Sequence, residues 1–251
     1  MSTASLNGKV AVLVGGSGAI GAEVARRFAA NHASVVLTYN KRQAAAEEII
    51  AGLDGGPHWA HPVDLRDSNT LTSLAETVKQ QAGRADILVN LAGFTAAIPH
   101  RDLDALDDAM IDDIFAVNWR GVFASVRAFR PLLEDSGDGL IVNISSIAGM
   151  NGEGSNVAYC AAKAGIDVLG KSLGRALAPA IRVMTVSPGV VDTGFVPGRD
   201  STFNEKVSRS IPLRRVAQAA DVADAVTSDL GFAGFRIHFP INAEDYKDEF
   251  L

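Results

Sequence analysis

Short runs of β-branched and aliphatic residues alternate along this chain with longer stretches whose apolar positions recur every three to four residues. The short runs lie at 10–14, 35–38, 58–63, 87–91, 140–144, 182–187 and 235–239, and each predicts a strand. The longer stretches predict helices at about 19–31, 42–53, 68–82, 104–117, 119–134, 156–178 and 219–230, with a kink or break at Pro131 in the fifth. This alternation is the pattern of a mostly parallel sheet with helices on both faces. The expected fold is therefore α/β, a doubly wound Rossmann sheet of seven strands. No repeat, low-complexity tract or linker divides residues 1–251, which predicts a single domain. One stretch, about 188–212, departs from the regularity. It is punctuated by Pro188, Gly189, Gly194, Pro197, Gly198 and Pro212, and Phe195, Val196, Phe203 and Ile211 give it apolar anchors, so it reads as a long loop serving as a lid.

Composition narrows the function classes. A chain of 251 residues with 47% apolar and 21% charged side chains can bury a sizeable core, which excludes disorder, collagen and coiled coil. Lys and Arg number 23 against 29 Asp and Glu, a net charge of −6 with no basic tract, so nucleic acid and anionic membrane surfaces are not expected partners. Cys160 is the single cysteine, which rules out an intrachain disulfide framework and suits a reducing cytoplasm. No run approaches the roughly 18 apolar residues of a membrane span, and the N-terminus lacks a secretory pattern; the expected location is cytoplasmic. His58 and His61 are close in sequence, but no nearby group completes a ligand set, so no metal is expected.

The first strand runs straight into Gly15 and then Gly16-Ser17-Gly18-Ala19-Ile20-Gly21, which opens the first helix. Glycines at such a turn permit close backbone approach, and a helix N-terminus offers unpaired N–H groups to a pyrophosphate. The setting predicts a dinucleotide site. The second strand leads into Tyr39, Asn40, Lys41 and Arg42, with no carboxylate where one would accept from the ribose hydroxyls of NAD. Cations there can pair with a 2′-phosphate, so NADP(H) is preferred and NAD(H) is the alternative; the competing reading makes both cations solvated first-turn residues.

Tyr159 and Lys163 stand four residues apart at the start of a long helix, on one face. A cation near a phenol favours the phenolate and moves tyrosine towards acid/base work at neutral pH. YxxxK alone is a frequent chance pattern. Its company is not: Asn90-Leu91-Ala92-Gly93 ends the fourth strand, Asn118 lies mid-chain, Ser145-Ser146 follows the fifth strand, and Pro188-Gly189-Val190-Val191-Asp192-Thr193 follows the sixth. With the N-terminal glycines and Asp64 after the third strand, this set resembles the short-chain dehydrogenase/reductase family over nearly the whole chain.

The resemblance implies roles residue by residue. Tyr159 would be the general acid/base, Lys163 would lower its pKa and hold the nicotinamide ribose, and Ser146 would bind the substrate oxygen. Asn118 would support a water-mediated proton relay. Asp64 and Leu65 would meet adenine, Asn90, Ala92 and Gly93 would line the cofactor, and Pro188, Gly189, Val191 and Thr193 would reach the nicotinamide end. Three departures accompany it: Val14 where threonine is usual, Ala19 in place of a glycine, and a shortened end over 229–242. The implied reaction is reversible hydride transfer between a nicotinamide and a carbonyl or secondary alcohol of a small molecule. A 3-oxoacyl thioester of an acyl-carrier protein is one candidate substrate, and a sugar, polyol or cyclic alcohol is the alternative. A non-catalytic dinucleotide-sensing regulator is the reading from another class. Small residues along the Tyr159 helix, together with Val168, Leu169 and Leu173, fit a homotetramer or homodimer.

Overall fold

The computed structural model describes residues 6–228 and 236–238. Among them, seven strands form one sheet: β1 (Val10–Val14), β2 (Ser34–Tyr39), β3 (Trp59–Pro62), β4 (Ile87–Asn90), β5 (Gly139–Ile144), β6 (Ile181–Ser187) and β7 (Arg236–His238). Their order is β3-β2-β1-β4-β5-β6-β7 and every pairing is parallel. The helices are α1 (Ala19–Ala30), α2 (Gln43–Ala51), α3 (Ser68–Ala82), α4 (Asp108–Phe115), α5 (Gly121–Asp135), α6 (Ala148–Asn151), α7 (Val157–Leu177), α8 (Ser201–Ser210) and α9 (Ala219–Ser228). The seven-stranded Rossmann sheet expected from the hydrophobic pattern is the one observed.

The strands are apolar at successive positions because both faces are covered. Ala11, Leu13, Val35, Leu37, Val89 and Val142 pack with Val24 and Phe28 of α1 and Val222 and Val226 of α9. The alternate residues Val10, Val12, Val36, Leu88 and Ile141 pack with Leu71, Leu74 and Val78 of α3 and Phe129 and Leu133 of α5. Between β1 and β4 the strand order reverses, which opens a crevice beyond their carboxyl ends.

Four local expectations are corrected. The helix expected from 104 begins at Asp108, where Asp107 caps it by accepting from Met110 N at 2.8 Å. Residues Ala116–Arg120 form a π-turn, because the Asn118 amide donates to Ile114 O at 2.8 Å and competes with the regular helical bond. α5 runs through Pro131 without a break. The stretch at 188–212 is no plain loop: α8 occupies its second half, capped by Asp200, which accepts from Phe203 N at 3.0 Å. The excursion is closed at its base by a bridge between Val191 and Ala217, with Asp192 N donating to Ala217 O at 2.8 Å. Most of the shortened stretch at 229–242, Phe235 and Phe239 included, lies outside the described residues.

Candidate active site

The turn after β1 is built by backbone contact. Gly15 has φ +82° and passes so close to β4 that an added Cβ would lie 2.5 Å from Ala92 Cα, while one on Gly21 would lie 2.2 Å from Gly16 O. These glycines let the end of β1 and the first turn of α1 touch their neighbours. Neither sequence departure disturbs the turn. Gly15 N donates to the buried hydroxyl of Thr38 at 2.8 Å, which holds the turn where Val14 offers no hydroxyl, and Ala19 points outward, exposed. Gly18 is the N-cap of α1 and supplies no side-chain acceptor, and the space where its Cβ would stand is open. That open cradle of first-turn N–H groups fits a dinucleotide pyrophosphate. Ser17, half-buried, is in the same turn.

At the carboxyl end of β2, Tyr39 is half-buried, while Asn40, Lys41 and Arg42 are exposed; neither Lys41 nor Arg42 has an ion-pair partner among the described residues. Asp64 accepts from Arg66 N at 3.0 Å, and Leu65 is buried beneath Gly121. Asn90 departs from expectation. Its amide donates to Asn143 Oδ1 at 2.8 Å and its oxygen accepts from Ser125 at 2.5 Å, so the side chain ties β4 to β5 and α5 instead of facing the crevice.

The carboxyl ends of the strands and the lid enclose a cavity of about 990 Å³. Ile20, Gly93, Ser146, Tyr159, Lys163, Pro188, Gly189, Val191 and Thr193 line it. Gly15, Ser17, Gly18, Gly21, Tyr39–Arg42, Asp64, Leu65, Asn90, Ala92 and Asn118 are not among its lining residues. Ser146 stands where β5 has ended; its hydroxyl accepts from Ala148 N at 3.2 Å and shares the cavity wall with the Tyr159 phenol. Tyr159 is positioned by Asn156, the N-cap of α7, which accepts from Tyr159 N at 2.8 Å and donates to Ala96 O at 2.8 Å. Ser155 and Thr95 join hydroxyls at 2.5 Å beside it. Sequence reasoning missed this clamp, although an asparagine at the predicted helix start was its signal.

The electrostatics differ from the expectation. Burial pushes the Tyr159 phenol up to about 12, against the opposing pull of the Ser146 hydroxyl and the Arg199 charge. Burial also brings Lys163 down to about 8, opposed by Asp167. Lys163 Nζ donates to Ile144 O at 2.8 Å and lies 5.6 Å from the Tyr159 ring centroid, so its charge is spent on a carbonyl and does not depress the phenol here. Asn118 is likewise occupied. Its amide donates to Phe94 O at 2.7 Å as well as to Ile114 O, and its oxygen accepts from Phe94 N, which fixes the segment after β4 and makes no bond to Lys163. From the lid, the Phe195 ring lies 5.9 Å from that of Tyr159 and presses against Gly93. Burial raises the Cys160 thiol, which stays inert beside Tyr159. His58 serves the fold: its ring accepts from Val35 N at 3.0 Å and reaches Asp54 O. Among the described residues no cluster of three or more His, Cys, Asp or Glu could hold a metal, and no helix is long and apolar enough to cross a membrane.

Comparison with known proteins gives the family. A family model described as enoyl-(acyl carrier protein) reductase matches residues 15–228. A short chain dehydrogenase from Burkholderia cenocepacia J2315, solved in complex with NADP, superposes with a TM-score of 0.86 at 29% identity, covering 96% of this chain and 99% of that one. The chain belongs to the short-chain dehydrogenase/reductase family. Its relatives in that family include a Streptomyces violaceoruber protein named provisionally as ketoacyl reductase 2 of the granaticin polyketide synthase, 34% identical over 90% of this chain and 91% of the relative. The 3-oxoacyl-(acyl-carrier-protein) reductase FabG of Staphylococcus aureus (strain Mu50) is 32% identical over 87% and 89%. As a short-chain dehydrogenase/reductase, this chain is an NAD(P)-dependent oxidoreductase acting on CH–OH and C=O groups of small molecules.

Proposed function

We propose that this short-chain dehydrogenase/reductase is an NADP(H)-dependent carbonyl reductase in which Tyr159 is the proton donor, Ser146 binds the carbonyl oxygen and the whole chain acts as one dinucleotide-binding unit. The carrying observation is a phenol that burial keeps protonated, standing with the Ser146 hydroxyl on the wall of one cavity at the strand ends. The cradle before α1 and the cations after β2 fit the cofactor, with Gly15, Ser17, Gly18, Ile20 and Gly21 under its pyrophosphate, Lys41 and Arg42 at a 2′-phosphate, Tyr39, Asn40, Asp64 and Leu65 around its adenosine, and Ala92, Gly93, Pro188, Gly189, Val191 and Thr193 towards the nicotinamide. Asn90 and Asn118 support these walls from within. When bound, the nicotinamide supplies the hydride.

A phenol pushed up to about 12 keeps its proton at neutral pH, which suits delivery to an oxygen that becomes basic as the carbonyl is reduced. Ser146 donates to the same oxygen and disperses its developing charge. The phenolate left behind is stabilised by Lys163, once released from Ile144 O. In the oxidative direction the phenolate accepts the alcohol proton. A 3-oxoacyl thioester remains a substrate candidate through the ketoacyl reductases among the relatives. The outward Val168 of α7, 66% exposed, and the neighbouring Val157 fit self-association through that helix, which light scattering would register as a multiple of the monomer mass.

The test is a titration with NADPH and NADH followed by a ketone panel on the tighter cofactor. Sustained loss of NADPH absorbance with at least one ketone is expected; saturable binding with no turnover across the panel would instead favour a dinucleotide sensor.

A further inference from the structure

The lid brings one cation to the reacting end of the cavity and leaves it without a counter-ion. Arg199 lines the cavity, and its charge is felt by the Tyr159 phenol. Burial opposes its charge, and its guanidinium stacks on the Phe203 ring at 4.3 Å. Among the described residues no carboxylate lies within ion-pair distance of it, although Glu153, Asp192, Asp200 and Glu205 line the same cavity. Two of those acids are engaged elsewhere: Asp192 accepts from Asn204 at 2.7 Å, and Asp200 caps α8. The other arginines of the lid are placed differently. Arg215 pairs with Asp221 at 2.6 Å, and Arg209 and Arg214, which also line the cavity, are exposed where Arg199 is half-buried.

A half-buried guanidinium without a partner carries a desolvation cost that a bound anion would offset. Among the described residues no hydrogen bond engages the N–H groups of this guanidinium, the fork that can grip a carboxylate through two parallel bonds. Because Arg199 shares the cavity wall with Tyr159, that carboxylate lies in the same chamber as the carbonyl that receives the proton. We propose that Arg199 binds a carboxylate of the substrate, so that the enzyme reduces oxo acids whose carboxylate and carbonyl are a few bonds apart. This rests on the reading of Tyr159 as proton donor given above. One fork matches one planar, singly charged oxyanion, and the apolar walls formed by Phe195, Val196 and Ile147 accommodate the hydrocarbon remainder.

The experiment compares wild type with Arg199→Gln and Arg199→Lys on the α-, β- and γ-oxo acids of pentanoic acid and their methyl esters, with NADPH as reductant. In the wild type at least one acid is expected to exceed its ester by about 100-fold in kcat/KM, the size expected for a charge-assisted bidentate pair. Arg199→Gln removes that preference through KM, leaves the ester within about twofold and leaves NADPH affinity unchanged, while Arg199→Lys keeps part of it. Equal rates on acid and ester in the wild type would overturn the proposal. So would an equal loss on both in Arg199→Gln, which would assign Arg199 to the Tyr159 proton, or a weakened hold on NADPH, which would assign it to the cofactor. Calorimetric titration of each oxo acid into protein saturated with NADP+ needs no turnover. Binding of at least one acid that is lost in Arg199→Gln supports the carboxylate site even if every ketone fails to react, an outcome that would sink only the catalytic reading; binding of none, or binding indifferent to Arg199, rejects the site.

Discussion

The cofactor cradle and the lid are built by different means. At the cofactor end, shape comes from the chain itself: Gly15 and Gly21 sit where any Cβ would strike backbone, and the cradle before α1 follows from a strand, a tight turn and a helix in immediate succession. At the lid end, shape comes from side chains brought together across the fold. Phe195 and Arg199 reach Tyr159 from a segment that is distant in sequence, and burial there sets the protonation state of the phenol. Backbone constraint fixes where a dinucleotide can lie; tertiary burial fixes when a proton can move.

Breaking the first end has the largest consequence. Gly21→Ala forces a methyl to within 2.2 Å of Gly16 O and should cost about 3 kcal/mol or more of stability, seen as a lower denaturant midpoint, because backbone cannot step aside as a flexible side chain can. Next comes the double substitution Lys41→Ala with Arg42→Ala. Both cations are exposed and without ion-pair partners among the described residues, so stability should hold while NADPH affinity falls about 30-fold and NADH affinity stays put. Equal losses for the two cofactors would show that these cations do not read the 2′-phosphate.

The smallest effect sharpens the lid end through pH. Lys163 falls from 10.5 when unfolded to about 8 in the folded, cofactor-free protein, so between those values the unfolded state binds more protons and stability rises with pH. The penalty of holding this buried cation is fully present below pH 8 and fades towards pH 10.5. From pH 7.5 to 9 it should recede by about 1 kcal/mol in the wild type, because the lysine loses its proton in the folded state across that window while the unfolded one keeps it. Lys163→Met removes that rise, measured as the difference between the two proteins' urea unfolding curves at each pH. Tyr159 and Cys160, both raised by burial, act in the opposite sense at higher pH, which is why the window stops at 9.

The same contrast explains what the sequence could reveal. The strands and the helices packed on them were legible because each carries its own period and each buries it against one sheet. Gly15 to Gly21 was legible because its chemistry is local, and Tyr159 and Lys163 because four residues in a helix place them on one face. α8 was hidden. Its sequence, Ser201–Ser210, is mostly polar, none of its residues is fully buried, and Phe203 and Val207 are its only large apolar residues, so its stripe is too short to read. The π-turn at Asn118 was hidden because it arises from an amide that turns back on Ile114 O while also reaching Phe94, on a different element. Asn90 was misjudged for a related reason: a strand-end asparagine looks the same whether it faces a ligand or joins β4 to β5. The raised phenol and the carbonyl-bound Lys163 were illegible because burial and the Ile144 contact exist only in the assembled fold.

The central claim, that Tyr159 delivers the proton in carbonyl reduction, is met most directly by Tyr159→Phe. The substitution removes one hydroxyl from a ring that remains packed against Phe195. NADPH binding should remain within about twofold while turnover with the best ketone falls by roughly 100-fold to 10,000-fold, the range spanned by general acid catalysis. Turnover near the wild-type rate with the phenol gone would contradict the account.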